Sequence, residues 1–391
     1  MNEQLIIRNF GPIKKATVDF KRVTVFIGPT GGGKSTLAKL AAVFRDKQWP
    51  RKQDAEQKKL AFDELLNGFL ILDYLKNDGE IKWLSEIDNA AYDEEGLHHD
   101  ISKRKELFIA GKETFDRIAS QLFIPEVSFV LERATDEERV VMEAMNGSVT
   151  EVYYVPADRA FAAALESGLA GLVLEGIALP ETLLAFLNEF KVAHNNLSLL
   201  PLDVSFLSIS YRMVEKQARV DLGEDGIIEL ARGASGIQAV VPMMLIINYH
   251  VKRHNKQTVP LSFIVEEPEI NLYPTAQQGL LNWLVEKCTE GENDLTITTH
   301  SPYILSSCNL LLEAYKVAQQ RPELADEIDK IVPRACWLNP AEFAAYYVAD
   351  GTVKPITDER THLIGGNELD AVSGDISDSF RRLLQLKKQV A

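Results

Sequence analysis

"GPTGGGKST", residues 28–36, follows the β-forming run "RVTVFI" and leads directly into "LAKLAAVF". Gly28, Gly33, Lys34 and Ser35 fill the pattern G-x-x-x-x-G-K-[ST], with Pro29, Thr30, Gly31 and Gly32 between them and Thr36 after. A loop that wraps a triphosphate with its own N–H groups has no room for large side chains, and glycine takes positive φ at little cost. A helix beginning near Lys34 adds the positive end of its dipole. In this pattern the lysine reaches the β- and γ-phosphates, and Ser35 gives its oxygen to Mg²⁺. Leu37, Leu40, Ala41 and Phe44 fall on one face of that helix. A strand before the loop and a helix after it are the context the pattern needs, so residues 28–36 are expected to bind ATP.

The chain has 391 residues, more than one compact core usually holds. Hydrophobic residues make up 46% and charged residues 25%, the balance of a globular protein. A net charge of -15 disfavours broad nucleic-acid binding but leaves room for a local basic patch. The three cysteines, Cys288, Cys308 and Cys336, have no zinc spacing and read as free thiols in a reducing compartment. The N-terminus has no signal-peptide pattern, and "GIQAVVPMMLIINYH" is too short to span a bilayer. The expectation is a cytoplasmic protein with no membrane partner.

Three regions follow from the patterning. Residues 1–49 read as a β-hairpin, the glycine loop and its helix. Residues 50–125 carry Leu60, Phe62, Leu65, Leu66, Phe69, Leu72 and Leu75 at three- and four-residue steps, with "YLKNDGE" and "DEEGLHHD" as breaks. They are expected to form a helical insertion, either a solvated amphipathic bundle or a docking surface. Residues 126–391 begin with strands at 126–132 and 150–156 around an Asn146-Gly147 turn. Helix is expected from 158 to about 199, then a hairpin turning at 224–226. A buried helix (236–250), a strand (261–266), a helix (275–288) and a strand (294–298) come next. A hairpin at Asp350-Gly351 and a terminal helix near 376–389 close the chain.

The acidic half of the site is expected at "LSFIVEEPE", 261–269, a buried strand ending in carboxylates. A strand tip puts Glu266 and Glu267 at the sheet edge where α/β folds bind ligands. One acid can hold Mg²⁺ while the next polarises the attacking water. In "LTITTHSPYIL" a second strand ends at His300, placed to hydrogen-bond a γ-phosphate oxygen and register its loss. Ser235 and Gly236, in "ARGASGIQAVVPMM", open a buried helix. They read either as a simple N-cap or as another anion site.

Taken together, these motifs resemble the ABC-type ATPase heads. That group includes chromosome-maintenance and recombination ATPases and the bacterial AAA family ATPases of phage-defence operons. The order is similar: a Walker A loop at Gly28–Ser35, a helical insertion, a signature at Ser235-Gly236-Ile237-Gln238, Walker B at Phe263–Glu267 and a switch histidine at His300. "EEPEINLYP", "TTHSPYIL" and "YYVPADR" resemble the phage-defence and overcoming-lysogeny branch more than transporters. The resemblance implies an α/β fold with a mixed sheet, an antiparallel β subdomain and a helical insertion. It also implies a head-to-tail homodimer with two ATP molecules sandwiched at its interface, or a higher oligomer built through the same sandwich. Lys34, Ser35, Glu266, Glu267 and His300 of one chain would face Ser235, Gly236 and Gln238 of the other.

The sequence departs from the family pattern in places. "ASGIQ" replaces a Leu-Ser-Gly-Gly-Gln form, Glu266 stands where Asp is usual, and Asn271 and Tyr273 stand where relatives often have histidines. The candidates for the water-sensing glutamine are Gln48 and Gln121. Slow turnover is therefore expected. No acidic cluster of the toprim nuclease kind follows His300, so an effector nuclease or other toxin would be a separate polypeptide. Three functions compete. They are an ATP-driven switch that controls such an effector in anti-phage defence, with DNA or a phage component as trigger; a DNA-repair or recombination ATPase that clamps DNA; and a transporter's ATP-binding subunit.

Overall fold

The structure, a computed structural model, describes residues 3–46, 49–50, 52, 54–85, 89–100, 150–165, 179–196, 202–214, 217–254 and 259–365. The chain opens with β1 (Glu3–Phe10), β2 (Ile13–Phe20) and β3 (Val23–Ile27), then α1 (Lys34–Arg45) and α2 (Ala55–Gly68). Next come β4 (Leu75–Leu84), β5 (Asn89–Asp93), β6 (Gly96–Asp100), β7 (Glu151–Val155), α3 (Phe161–Leu165) and α4 (Glu181–Asn196). Four short strands follow: β8 (Leu202–Val204), β9 (Ile209–Val214), β10 (Gln217–Asp221) and β11 (Ile227–Glu229). After them run α5 (Ser235–His254), β12 (Leu261–Glu266), α6 (Pro274–Cys288), β13 (Asp294–Thr299) and α7 (Pro302–Gln320). The described chain ends with α8 (Ala325–Ile331), β14 (Phe343–Ala349) and β15 (Thr352–Pro355).

The main sheet is mixed, in the order β6-β5-β4-β1-β2-β15-β14-β3-β13-β12-β7. Its half from β14 to β7 is parallel, with β3 between β14 and β13. β3, β12 and β13 are buried along their whole length because both faces of the sheet are covered there. Val23, Val25 and Ile27 of β3 pack into one core with α4, α5, α6 and α7, while Phe26 turns to the other core with α1. The remaining strands form a wing that is antiparallel except where β15 meets β2 in parallel, and β8–β11 make a separate four-stranded sheet in the order β11-β10-β9-β8. This is the α/β class with a mixed sheet that the sequence predicts. Among the described residues no helix is long and apolar enough to cross a membrane.

One expectation is corrected and one extended. Residues 75–84, 89–93 and 96–100 are strands, not helix: β4 pairs antiparallel with β1, and β5 and β6 extend the wing as a hairpin. Among the described residues of 50–125, α2 keeps the helical pattern, burying Phe62 and Leu66 and leaving Leu60 exposed. "KNDGEIKWL" buries Ile81 and Trp83 at the two-residue step of a strand, and its exposed partners hide that signal among charges. The expected hairpin turning at 224–226 is present between β10 and β11, and β9 extends it by a further strand. Gly223 and Gly226 at positive φ make the turn between β10 and β11. The expected strand at 126–132, the Asn146-Gly147 turn, the helix near 376–389, Gln48 and Gln121 lie outside the described residues.

One buried cluster ties the wing to the parallel half. Arg45, at the end of α1, donates to Glu3 Oε2 at 2.6 Å, Asp294 Oδ1 at 3.0 Å and Ser262 Oγ at 2.7 Å. Its guanidinium lies over the rings of Phe20 and Trp83. Burial pushes both carboxyls above the usual carboxylate range, and Arg45 opposes the shift. A raised folded pKa favours the protonated acid, so this cluster's contribution falls as pH rises from the ordinary carboxylate value through the raised one. Removing the cation strands two buried acids. Arg45→Met is therefore expected to destabilise the fold by about 3–5 kcal/mol, read as a lowered urea midpoint.

Candidate functional site

The parallel register brings three strand tips together. Ile27 of β3 pairs with Thr299 of β13, and Thr298 pairs with Glu266 of β12. The chain therefore leaves the sheet at Gly28, His300 and Glu267 along one edge.

The glycine loop 28–33 rises from β3 and turns back into α1. An added Cβ at Gly28 would stand 2.2 Å from the carbonyl oxygen of Val348. Gly33, at φ 108, caps α1 in the left-handed region, and an added Cβ would meet Ile13 at 2.4 Å. Both positions are closed to any side chain. Pro29, Thr30 and Gly31 form the exposed crest, and Gly32 N–H donates to the Pro29 carbonyl at 3.1 Å. The first-turn amides of α1 have no intrahelical acceptor and remain available to an anion. Ser35 is exposed there, and Thr36 is buried.

Lys34 is buried and folds back along the loop. Its Nζ donates to the carbonyls of Gly28 at 2.9 Å and Pro29 at 3.0 Å, and lies 3.1 Å from His300 Nε2. His300 Nε2 is in turn 3.2 Å from Glu267 Oε1. The sequence-predicted Lys34, His300 and Glu267 thus meet in one contact chain. Burial lowers the Lys34 pKa, and the charges of Glu267, Glu269 and Glu266 oppose that shift.

Glu266 ends β12 with a buried side chain whose Oε1 has no hydrogen-bond partner. The buried Tyr154 hydroxyl is held protonated first by burial and then by the charge of Glu266. No cluster of three His, Cys, Asp or Glu among the described residues is arranged to hold a metal by itself. Mg²⁺ needs no such cage: one or two protein oxygens plus phosphate suffice. The unpartnered Glu266 oxygen and the exposed Ser35 hydroxyl are hard donors of the right kind.

Ser235 and Gly236 open α5, as the sequence predicts. Ser235 is exposed. Gly236 lets α5 approach the loop after β12: an added Cβ would lie 2.7 Å from the Asn271 carbonyl. The Gln238 amide donates to the carbonyls of Ala231 and Gly233, which shapes the turn before the helix. Among the described residues no hydrogen bond joins these three to residues 28–36. Asn271 is exposed at φ 59, and Tyr273, 77% exposed, caps α6.

Two residues of the site, Arg159 and Glu269, are not predicted as site residues from the sequence. Glu267 sits at φ 42, a conformation costing a non-glycine residue about 1–2 kcal/mol. The fully buried Arg159 braces that turn, donating to the carbonyls of Glu266 at 2.7 Å, Glu267 at 2.8 Å and Pro268 at 3.3 Å. It also reaches the carbonyls of Pro156 and Ala239. Burial pushes its pKa down to about 10. The other is Glu269, whose Oε1 accepts from the Thr299 hydroxyl at 2.6 Å and the His300 N–H at 2.8 Å.

No curated protein matches the chain. Among solved structures, an SMC head bound to the C-terminal winged-helix domain of ScpA is 13% identical, with TM-score 0.42, covering 90% of this chain and 96% of that one. The SMC head domain from Thermotoga maritima is 10% identical, with TM-score 0.40, covering 92% and 100%. The recombination mediator protein RecF is 10% identical, with TM-score 0.34, covering 91% and 98%. The family model described as "AAA ATPase domain" matches residues 1–164 and 174–305. That span takes in the glycine loop, Arg159, the acidic tip of β12 and His300, and by it the chain belongs to the AAA ATPase domain family.

Proposed function

We propose that the chain is an ABC-type ATPase that binds ATP with Mg²⁺ at the loop 28–36, hydrolyses it slowly and uses it to join two copies head to tail. The observation that carries this reading is the convergence of Lys34, His300 and Glu267 from three adjacent strand tips. Entering phosphate oxygens would meet the first-turn amides of α1. They would also draw the Lys34 ammonium away from the Gly28 and Pro29 carbonyls. Ser35 and Glu266 would hold Mg²⁺, which when bound neutralises phosphate charge. Glu267 is the carboxylate placed to orient and deprotonate the attacking water. His300, touching both Lys34 and Glu267, senses whether a γ-phosphate lies between them.

The exposed start of α5 supports the second half of the reading. Ser235 faces solvent at a helix N-terminus, where a second copy's triphosphate would find unsatisfied N–H groups. On this reading ATP bridges two copies, and its hydrolysis loosens them. Control of a separate effector in anti-phage defence is the use of that switch which the sequence motifs favour.

Three measurements test this. Lys34→Ala should weaken ATP binding at least about 100-fold in titration calorimetry, since the buried ammonium is the loop's main charge toward phosphate. Unchanged affinity would refute the phosphate loop. Glu267→Gln should slow turnover about 100-fold or more and accumulate an ATP-bound dimer in light scattering. A variant that still turns over at the wild-type rate would give the water to another group. Ser235→Arg should leave the monomer's ATP affinity within about twofold yet block ATP-dependent dimerisation, because no contact to residues 28–36 is lost. A normal dimer would remove Ser235 from the interface.

A further inference from the structure

We propose that Glu269 is a positioning residue for His300, fixing the histidine to the acidic tip of β12. The inference rests on the ATPase reading of the site and extends it to a residue with no assigned part. One carboxylate oxygen takes two donors from the neighbouring strand end: the Thr299 hydroxyl at 2.6 Å and the His300 backbone N–H at 2.8 Å. Its second oxygen is buried without a hydrogen-bond partner, so among the described residues no ion pair competes for this carboxylate. The Thr299 hydroxyl also accepts the Ser301 N–H at 2.9 Å, which closes the turn around the histidine. Ser301 is pinned beyond it, donating to Gln277 Oε1 at 2.6 Å, and Gln277 donates to the Leu272 carbonyl at 3.0 Å.

The backbone of His300 is therefore held from the loop that carries Glu267, not from its own strand alone. The imidazole lies 3.1 Å from Lys34 Nζ and 3.2 Å from Glu267 Oε1, distances that a shift of one ångström would break. A displacement of that size costs catalysis on the order of tenfold to a hundredfold. Glu269 also adds negative charge near Lys34, so a purely electrostatic role is the rival explanation. Glutamine separates the two, because its carbonyl oxygen keeps both hydrogen bonds and its charge is zero.

Steady-state hydrolysis and the histidine ring spectrum of ¹³C-labelled full-length protein test the proposal together. Glu269→Ala should lower kcat about tenfold with ATP affinity within about twofold. Glu269→Gln should stay within about threefold of wild type. In a His300→Ala background, Glu269→Ala should add less than about twofold, because it acts through the missing ring. The ring signal that His300→Ala removes should move in Glu269→Ala and stay near its wild-type position in Glu269→Gln. Additive losses, a glutamine variant as poor as alanine, or an unmoved ring signal would each overturn the assignment. Should Glu269→Ala fail to fold, Glu269→Asp, which keeps the charge but draws the carboxylate back by one methylene, should move the same ring signal. A wild-type protein that hydrolyses no ATP would refute the ATPase reading, while the ring spectrum would still decide whether Glu269 holds His300.

Discussion

The site depends on the register of three parallel strands. Pairing Ile27 with Thr299 and Thr298 with Glu266 is what aligns Gly28, His300 and Glu267 at one sheet edge. That register is strongly specified because these strands are buried on both faces. Sliding β12 by one residue would exchange Ile264 for Val265 between the two cores and turn the Glu266 carboxylate to the other side of the sheet. The same apolar runs that stabilise the parallel half therefore set the spacing of the polar residues beyond it.

At that edge the charges are unbalanced. Two buried cations, Lys34 and Arg159, face the three carboxylates of Glu266, Glu267 and Glu269. A triphosphate would add several negative charges, and close carboxylates would repel it unless a cation arrived with it. On the proposed reading the unpartnered oxygen of Glu266 would hold that cation, and the α1 amides and Lys34 would take the phosphate from the other side. The site would then favour a metal-bound phosphate over a bare anion, from the placement of the acids as much as from the glycine loop.

What the sequence made legible was what local spacing encodes. The loop 28–36 and the acidic and histidine-bearing strand tips each show a period and a break. Strands 75–100 were not legible, because Leu65, Phe69, Leu72 and Leu75 continue a helical step past the true end of α2 at Gly68. What overrides that step is the pairing of β4 with β1, a partner more than sixty residues away in sequence. Glu269 and Arg159 were invisible for a different reason. Both act on the backbone of distant segments, and a carbonyl or N–H group has no residue type to recognise. "YYVPADR" was noticeable as a phrase, yet nothing in it says that its arginine grips the turn after β12.

Arg159 shows what such a residue contributes. Its donors end on carbonyl oxygens at Pro156, Ala239, Glu266, Glu267 and Pro268 and on no carboxylate. A guanidinium used this way acts as a rigid planar template, and a lysine with three donors on a flexible stem could not reproduce it. The template joins two pieces that the sequence separates widely: the strained turn carrying Glu267, and Ala239, one helical turn beyond the exposed Ser235. The start of α5 and the carboxylate at the tip of β12 are therefore braced as one body, and the close approach of Gly236 to Asn271 adds a second contact between them. A second copy pressing on Ser235 would push on the same brace that fixes Glu267, without any need for a long path through the core.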